Sequence, residues 1–170
     1  MIISSELLDQ KLERDLLPIG SMIKEAKSLL NSSYLKGIDV KVTKKNIKIY
    51  LDTTEDKLEI IKKAIEKMKS QESIDNRVIY TIILRIRNLY IIKKLIENRA
   101  YKKNDFVRII DGVSKNKDAY KAYLSVKNDQ KRKIKVSLEE ARRLYVYLKK
   151  ELEVLKKVIA KSLNLLIKRF

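Results

Sequence analysis

The stretch NRVIYTIILRIRNLYIIKKLIENRAY, residues 76–101, decides how the rest of the chain is read. Its apolar residues Val78, Ile79, Ile82, Ile83, Ile86, Leu89, Tyr90, Ile92, Leu95 and Ile96 recur at helical spacing and cover more than one face. A helix patterned in this way is buried on most sides, so the spacing predicts a central helix on which other elements pack. The interrupting charges Arg77, Arg85, Arg87, Lys93, Lys94 and Arg99 are basic, with only Glu97 against them. Any face the helix leaves open is therefore cationic.

Toward the N-terminus, Leu7, Leu8, Leu12, Leu16 and Leu17 form the stripe of a first amphipathic helix, ended by Pro18 and Gly20. A second helical pattern covers residues 21–30. From Gly37 the period changes to two. Ile38, Val40 and Val42 alternate with Asp39 and Lys41, and Ile47, Ile49 and Leu51 alternate with Lys48, Tyr50 and Asp52. Two strands joined by a turn at residues 43–46 are expected, and pairing Val42 with Ile47 puts Asp39 and Asp52 on one polar face. Thr53 or Thr54 then caps a helix that buries Leu58, Ile61, Ala64, Ile65 and Met68. The polar connector SQESIDN suggests a boundary near residue 72, separating a small α+β unit (1–72) from a helical bundle (73–170).

Beyond the central helix, a short helix near 104–110, a turn at Asp111-Gly112 and a helix over 116–127 are expected. The basic loop NDQKRKIK follows. Ser137 and Glu140 form a capping box that opens a last helix of about 30 residues. Its Ala141, Leu144, Leu148, Leu152, Leu155, Ile159, Leu163 and Leu166 step by three and four, a bundle or dimer seam. The predicted fold class is α+β, predominantly helical.

Composition narrows the chemistry. With no Cys and no His in 170 residues, zinc sites, thiol nucleophiles and imidazole acid-base catalysis are excluded. The Lys/Glu/Ile-rich, Gln-poor balance resembles intracellular proteins of thermophiles, of an archaeal type. The opening residues carry no cationic segment followed by an apolar stretch. The longest near-apolar run, residues 78–84, is far short of the roughly 20 that span a bilayer. A cytoplasmic protein without a membrane partner is expected.

The net charge of +18 is unevenly spread. Residues 1–85 hold 16 basic against 13 acidic side chains; residues 86–170 hold 24 against 9. A field of that size in one half favours polyanions, nucleic acid first. The candidate contacts are Lys115, Lys117, Lys121 and Lys127, then Lys131, Arg132, Lys133 and Lys135 in the loop, then Arg142 and Arg143. Lys-rich loops hold phosphates without reading bases. Residues 106–128 can also be read as a helix-turn-helix, although a helical corner with Tyr120 and Tyr123 in the core fits the pattern better.

Ile19-Gly20-Ser21, a helix, Asp39 on a strand and Asp52 on the next resemble a reduced polymerase-beta-like nucleotidyltransferase core of the small archaeal kind. The helical segments LYIIKKLIENRAYKKNDF, AYKAYLSVKND and SLEEARRLYVYLKKEL are similar to the regions that follow such cores. The resemblance implies a nucleotide site at Gly20 and Ser21 and Mg²⁺ on Asp39 and Asp52. Gly37 stands where the family has its first metal-binding Asp, so the resemblance implies a member that no longer catalyses and uses no cofactor. The leading expectation is a non-catalytic nucleic-acid-binding protein. The alternatives are a nucleotidyltransferase, or its relic, using Asp39 and Asp52 with Mg²⁺, and an interaction subunit or homodimer formed through the last helix.

Overall fold

The computed structural model describes residues 4–27, 32–130 and 132–167. Among them every regular element is a helix: α1 (Ser5–Arg14), α2 (Leu16–Glu25), α3 (Ser32–Gly37), α4 (Lys44–Lys67), α5 (Asn76–Ile96), α6 (Lys103–Ser114), α7 (Asp118–Lys127) and α8 (Leu138–Ile167). The central helix is present as α5. It buries Ile79, Ile82, Ile83, Ile86, Leu89, Ile91, Ile92 and Leu95 and touches α2, α4, α6, α7 and α8. One hydrophobic cluster runs from Leu8 on α1 to Ile159 on α8 and crosses residue 72 without a break.

The expected α+β hairpin is not there. Residues 44–67 form one helix, because a period of three and four runs through Ile47, Leu51, Thr54, Leu58, Ile61, Ile65 and Met68. Ile49, which completes the alternation with Ile47 and Leu51, is 60% exposed. The expected turn is the start of α4. The Thr43 hydroxyl accepts from the Asn46 amide N–H (3.2 Å), and Asn46 Oδ1 accepts from the Thr43 N–H (2.8 Å), a reciprocal cap. Asn46 Nδ2 also donates to the carbonyls of Leu12 (2.8 Å) and Lys41 (2.9 Å), tying the end of α1 to the start of α4. Thr53 and Thr54, expected as caps, lie inside α4, and their hydroxyls donate back to the carbonyls of Ile49 and Tyr50 (2.6 Å each). Residues 38–43 do alternate inward and outward, with Val40 buried between Ile38 and Val42. They pair with no strand and form an irregular strap across the core.

Pro18 and Gly20 end no helix either. Pro18 sits in the first turn of α2, where its missing N–H has no intrahelical acceptor to lose. Gly20 is buried in mid-helix. A Cβ there would lie 3.0 Å from Leu16 Cδ1 and 3.1 Å from Val40 Cγ1, so the missing side chain lets the strap pass close to α2.

The three long helices share one end. The Ile74 N–H donates to the Val136 carbonyl (2.9 Å) just before α5 and α8 begin. Farther along, Lys93 faces Glu151 at 3.9 Å, so α5 and α8 run parallel. Lys156 pairs with Glu55 at 2.6 Å, which sets α4 antiparallel to both. The C-terminus of α4 and the N-termini of α5 and α8 therefore meet where residues 128–137 connect α7 to α8.

Candidate nucleic-acid interface

The connector 128–137 is basic, and neighbouring elements hold it in place. Ser125, buried on the inner side of α7, directs its hydroxyl at the carbonyls of Gln130 (3.0 Å) and Arg132 (2.8 Å). The Gln130 N–H returns a bond to the Ser125 carbonyl (2.8 Å), with Asp129 in the left-handed region at φ 50°. Nearer α8, the Asn76 amide meets the backbone of Ile134. Oriented to satisfy both groups, it donates to the carbonyl at 2.7 Å and accepts from the N–H at 3.1 Å. Val136 is buried completely. Ser137 and Glu140 make the expected capping box, in which the Ser137 N–H donates to Glu140 Oε2 (2.8 Å) and the Glu140 N–H to Ser137 Oγ (3.2 Å).

The backbone is thus held at residues 130, 132, 134 and 137, while the described cations point outward. Arg132, Lys133 and Lys135 are exposed, as is Lys127 at the end of α7. Lys135 reaches Glu72 at 3.7 Å, with both side chains more than 80% exposed, an arrangement worth little in water. Lys127, Arg132 and Lys133 make no ion pair among the described residues. Lys133 borders an open groove of about 500 Å³ lined also by Met68, Ser73, Ile74, Asp75 and Asn76. Asp75, the N-cap of α5, is held below the usual carboxylate range by its hydrogen bonds from Arg77, with the Lys133 charge adding to the effect.

The other expected contacts divide. Lys115 and Lys117 are exposed in the turn between α6 and α7 and make no ion pair among the described residues; Lys115 adopts φ 60°. Lys121 is bound to Asp118 (2.9 Å), which lowers the Asp118 pKa. Arg142 is exposed on the first turns of α8. Arg143 is mostly buried and structural: it donates to the Ser114 carbonyl at 2.5 Å and pairs with Glu139 at 3.3 Å, joining the end of α6 to α8. Lys131 lies outside the described residues.

Tyr120 and Tyr123 belong to the core. Tyr123 stacks on Tyr80 (5.5 Å, 14° between planes), and Tyr120 packs on Phe106 (6.3 Å) and Tyr123 (5.7 Å). Gly112 is inside α6 rather than in the turn.

Among the described residues no strand ladder aligns the carboxylate pair. Asp39 sits on the strap beside Lys41 (2.7 Å), and Asp52 sits on α4, one turn from its partner Lys48. With no ladder to align them, each carboxylate faces solvent with its own lysine. Among the described residues no group of three or more carboxylates could hold a metal ion. Gly20 and Ser21 fall at the fifth and sixth positions of α2, so neither lies at a strand end facing a phosphate. Ser125 and Asn76, which hold the basic connector, carry no role in a reading by charge alone. Their signal is a polar residue within an apolar helical stripe, which must find a backbone partner when buried.

No family model matches the chain, and comparison with curated proteins and with solved structures returns no match.

Proposed function

We propose that this chain binds nucleic acid without catalysis, through the phosphate backbone, with the connector 128–137 and the end of α7 as its working surface. The observation that carries this reading is the placement of Lys127, Arg132 and Lys133: exposed, unpaired among the described residues, and mounted on a backbone already ordered by Ser125, Asn76 and Val136. A loop fixed before binding loses less entropy when it meets a ligand. The excess of 24 basic over 9 acidic residues in 86–170 adds a long-range attraction. Contacts of this kind position a phosphate chain and carry no base sequence.

The test is fluorescence anisotropy with labelled nucleic acid and the double variant Arg132→Glu, Lys133→Glu. A contact at about 4 Å is worth about 1 kcal/mol in water. Reversing two such attractions changes each by about 2 kcal/mol and should therefore weaken binding by about three orders of magnitude at low salt. Unchanged affinity in a folded variant would remove the connector from the interface.

A second reading follows from α8. Val154 and Val158 are 40% and 41% exposed beside Ile96, around a shallow apolar trough between α5 and α8. A dimer by light scattering that Val158→Asp dissociates would make this face a contact between copies; a monomer at all concentrations would exclude that.

A further inference from the structure

We propose that the nucleic acid is a duplex, laid along the solvent face of α7; the inference rests on the phosphate-backbone reading above and names its ligand class. α6 and α7 are joined by a turn of three residues, 115–117, in which the left-handed Lys115 reverses the chain. Ala119, Ala122, Tyr123 and Ser125 are buried against the molecule. The opposite side carries the exposed Lys117, Lys121 and Asn128, with Lys127 on its flank; Leu124, on the same stripe, is half-buried and packs against the core. The stripe's spacings of four, three and four keep it on one helical face. Lys121 is exposed and takes no part in the packing of α7, but its ammonium is held by Asp118 at 2.9 Å, so the free cations of this face are Lys117 and Lys127.

Two features select a duplex over a single strand. The first is the separation of the cations. Lys115 and Lys117 stand at one end of α7 and Lys127 at the other, ten residues from Lys117, or about 15 Å along a helix. The B-form major groove is about 12 Å wide. Two cation groups held that far apart by a rigid helix fit the two phosphate rows bordering a groove, which a duplex presents at fixed distance. A single strand has no second row.

The second feature is the placement of the rings. Single strands are held by side chains whose aromatic faces are open to bases. Here the rings nearest the cations spend their faces on one another, Tyr80 on Tyr123 and Tyr120 on Phe106 and Tyr123. Arg87 covers Tyr101 at 5.2 Å from the ring centre. Among the described residues the one exposed aromatic is Tyr34, 54% exposed on α3. Among the described residues the cationic face therefore has charge and no exposed ring.

The experiment measures anisotropy with one 20-base-pair DNA duplex, each of its single strands and the same sequence as duplex RNA, at several salt concentrations. The duplex should bind at least tenfold tighter than either strand. If Lys115, Lys117, Lys127, Arg132 and Lys133 each meet a phosphate, the slope of log K against log salt is about −4.5, or about a 500-fold loss between 50 and 200 mM. Lys117→Glu with Lys127→Glu should flatten that slope by about 2. Lys36→Glu with Lys44→Glu, the same charge change at the end of α3 and the start of α4, should leave the slope in place; circular dichroism checks that both variants fold. Equal or tighter binding to the single strands overturns the duplex inference and leaves backbone binding standing. A duplex preference that responds to the Lys36 and Lys44 pair and not to the Lys117 and Lys127 pair overturns the placement on α7. Absence of binding to any of the four probes overturns both readings. Tighter binding to the RNA duplex than to the DNA duplex overturns the fit of the two cation groups to a groove of B-form width.

Discussion

Replacing Asn46 with Ala separates the helix observed over residues 44–67 from the hairpin that the alternating pattern describes. Asn46 is 2% exposed. Its side chain makes three hydrogen bonds to backbone: it accepts from the Thr43 N–H (2.8 Å) and donates to the carbonyls of Leu12 (2.8 Å) and Lys41 (2.9 Å). A buried bond of this type contributes about 1 kcal/mol, and leaving its partner unpaired costs about as much again or more. The three act on one cluster and do not add fully, so a loss of about 3 kcal/mol is expected. For a domain of this size that lowers Tm by about 6–12 °C. As the last residue of an exposed hairpin turn, Asn46 would lose no more than about 0.5 kcal/mol on substitution. Urea unfolding followed by circular dichroism measures the difference. A loss below about 1 kcal/mol would refute both the capped start of α4 and the role of Asn46 in joining α1 to it.

Arg143→Ala removes the bond to the Ser114 carbonyl, so it should cost about 1–3 kcal/mol of stability while leaving the salt slope of binding intact. Arg132→Ala should do the reverse, and urea unfolding alongside anisotropy resolves the pair. Burial, reinforced by Glu151 and Tyr90, pushes the Tyr147 hydroxyl up to about 12. The folded state then holds a proton that the unfolded chain releases near pH 10, so stability should fall as pH rises from 10 toward 12. Tyr147→Phe should flatten that decline in thermal melts across the alkaline range. Replacing Asp39 and Asp52 together with Asn should leave the unfolding midpoint unchanged. Mg²⁺ titration of the parent chain, read by calorimetry, should show no saturable heat; saturable binding lost in the double variant would restore the metal reading.

The helical part of the fold is legible in the pattern because long apolar periods leave one solution. Residues 76–96 carry ten apolar side chains at helical spacing, and α8 carries its a/d stripe with a capping box in front. The error over 37–52 has a local cause. Ile47, Ile49 and Leu51 satisfy a period of two across five residues, but the period of three and four needs the following three turns to be seen. Thr43 and Asn46, four residues apart inclusive, serve equally as a hairpin turn or a reciprocal cap; the continuation decides. The cationic surface was legible as charge, since formal charge needs no fold. Which cations are available was not. Arg142 and Arg143 are neighbours in sequence, yet 100° of rotation on α8 exposes one and turns the other toward Ser114. Ser125, which fixes the basic connector, acts through backbone carbonyls that no pattern of side chains records.

The salt dependence of binding tests the central claim most directly. Affinity for a DNA duplex should fall linearly in log K against log salt, and Arg132→Glu with Lys133→Glu should flatten the slope by about 2. Affinity independent of salt, or a slope the two substitutions leave unchanged in a folded protein, would contradict a phosphate-binding role for the connector.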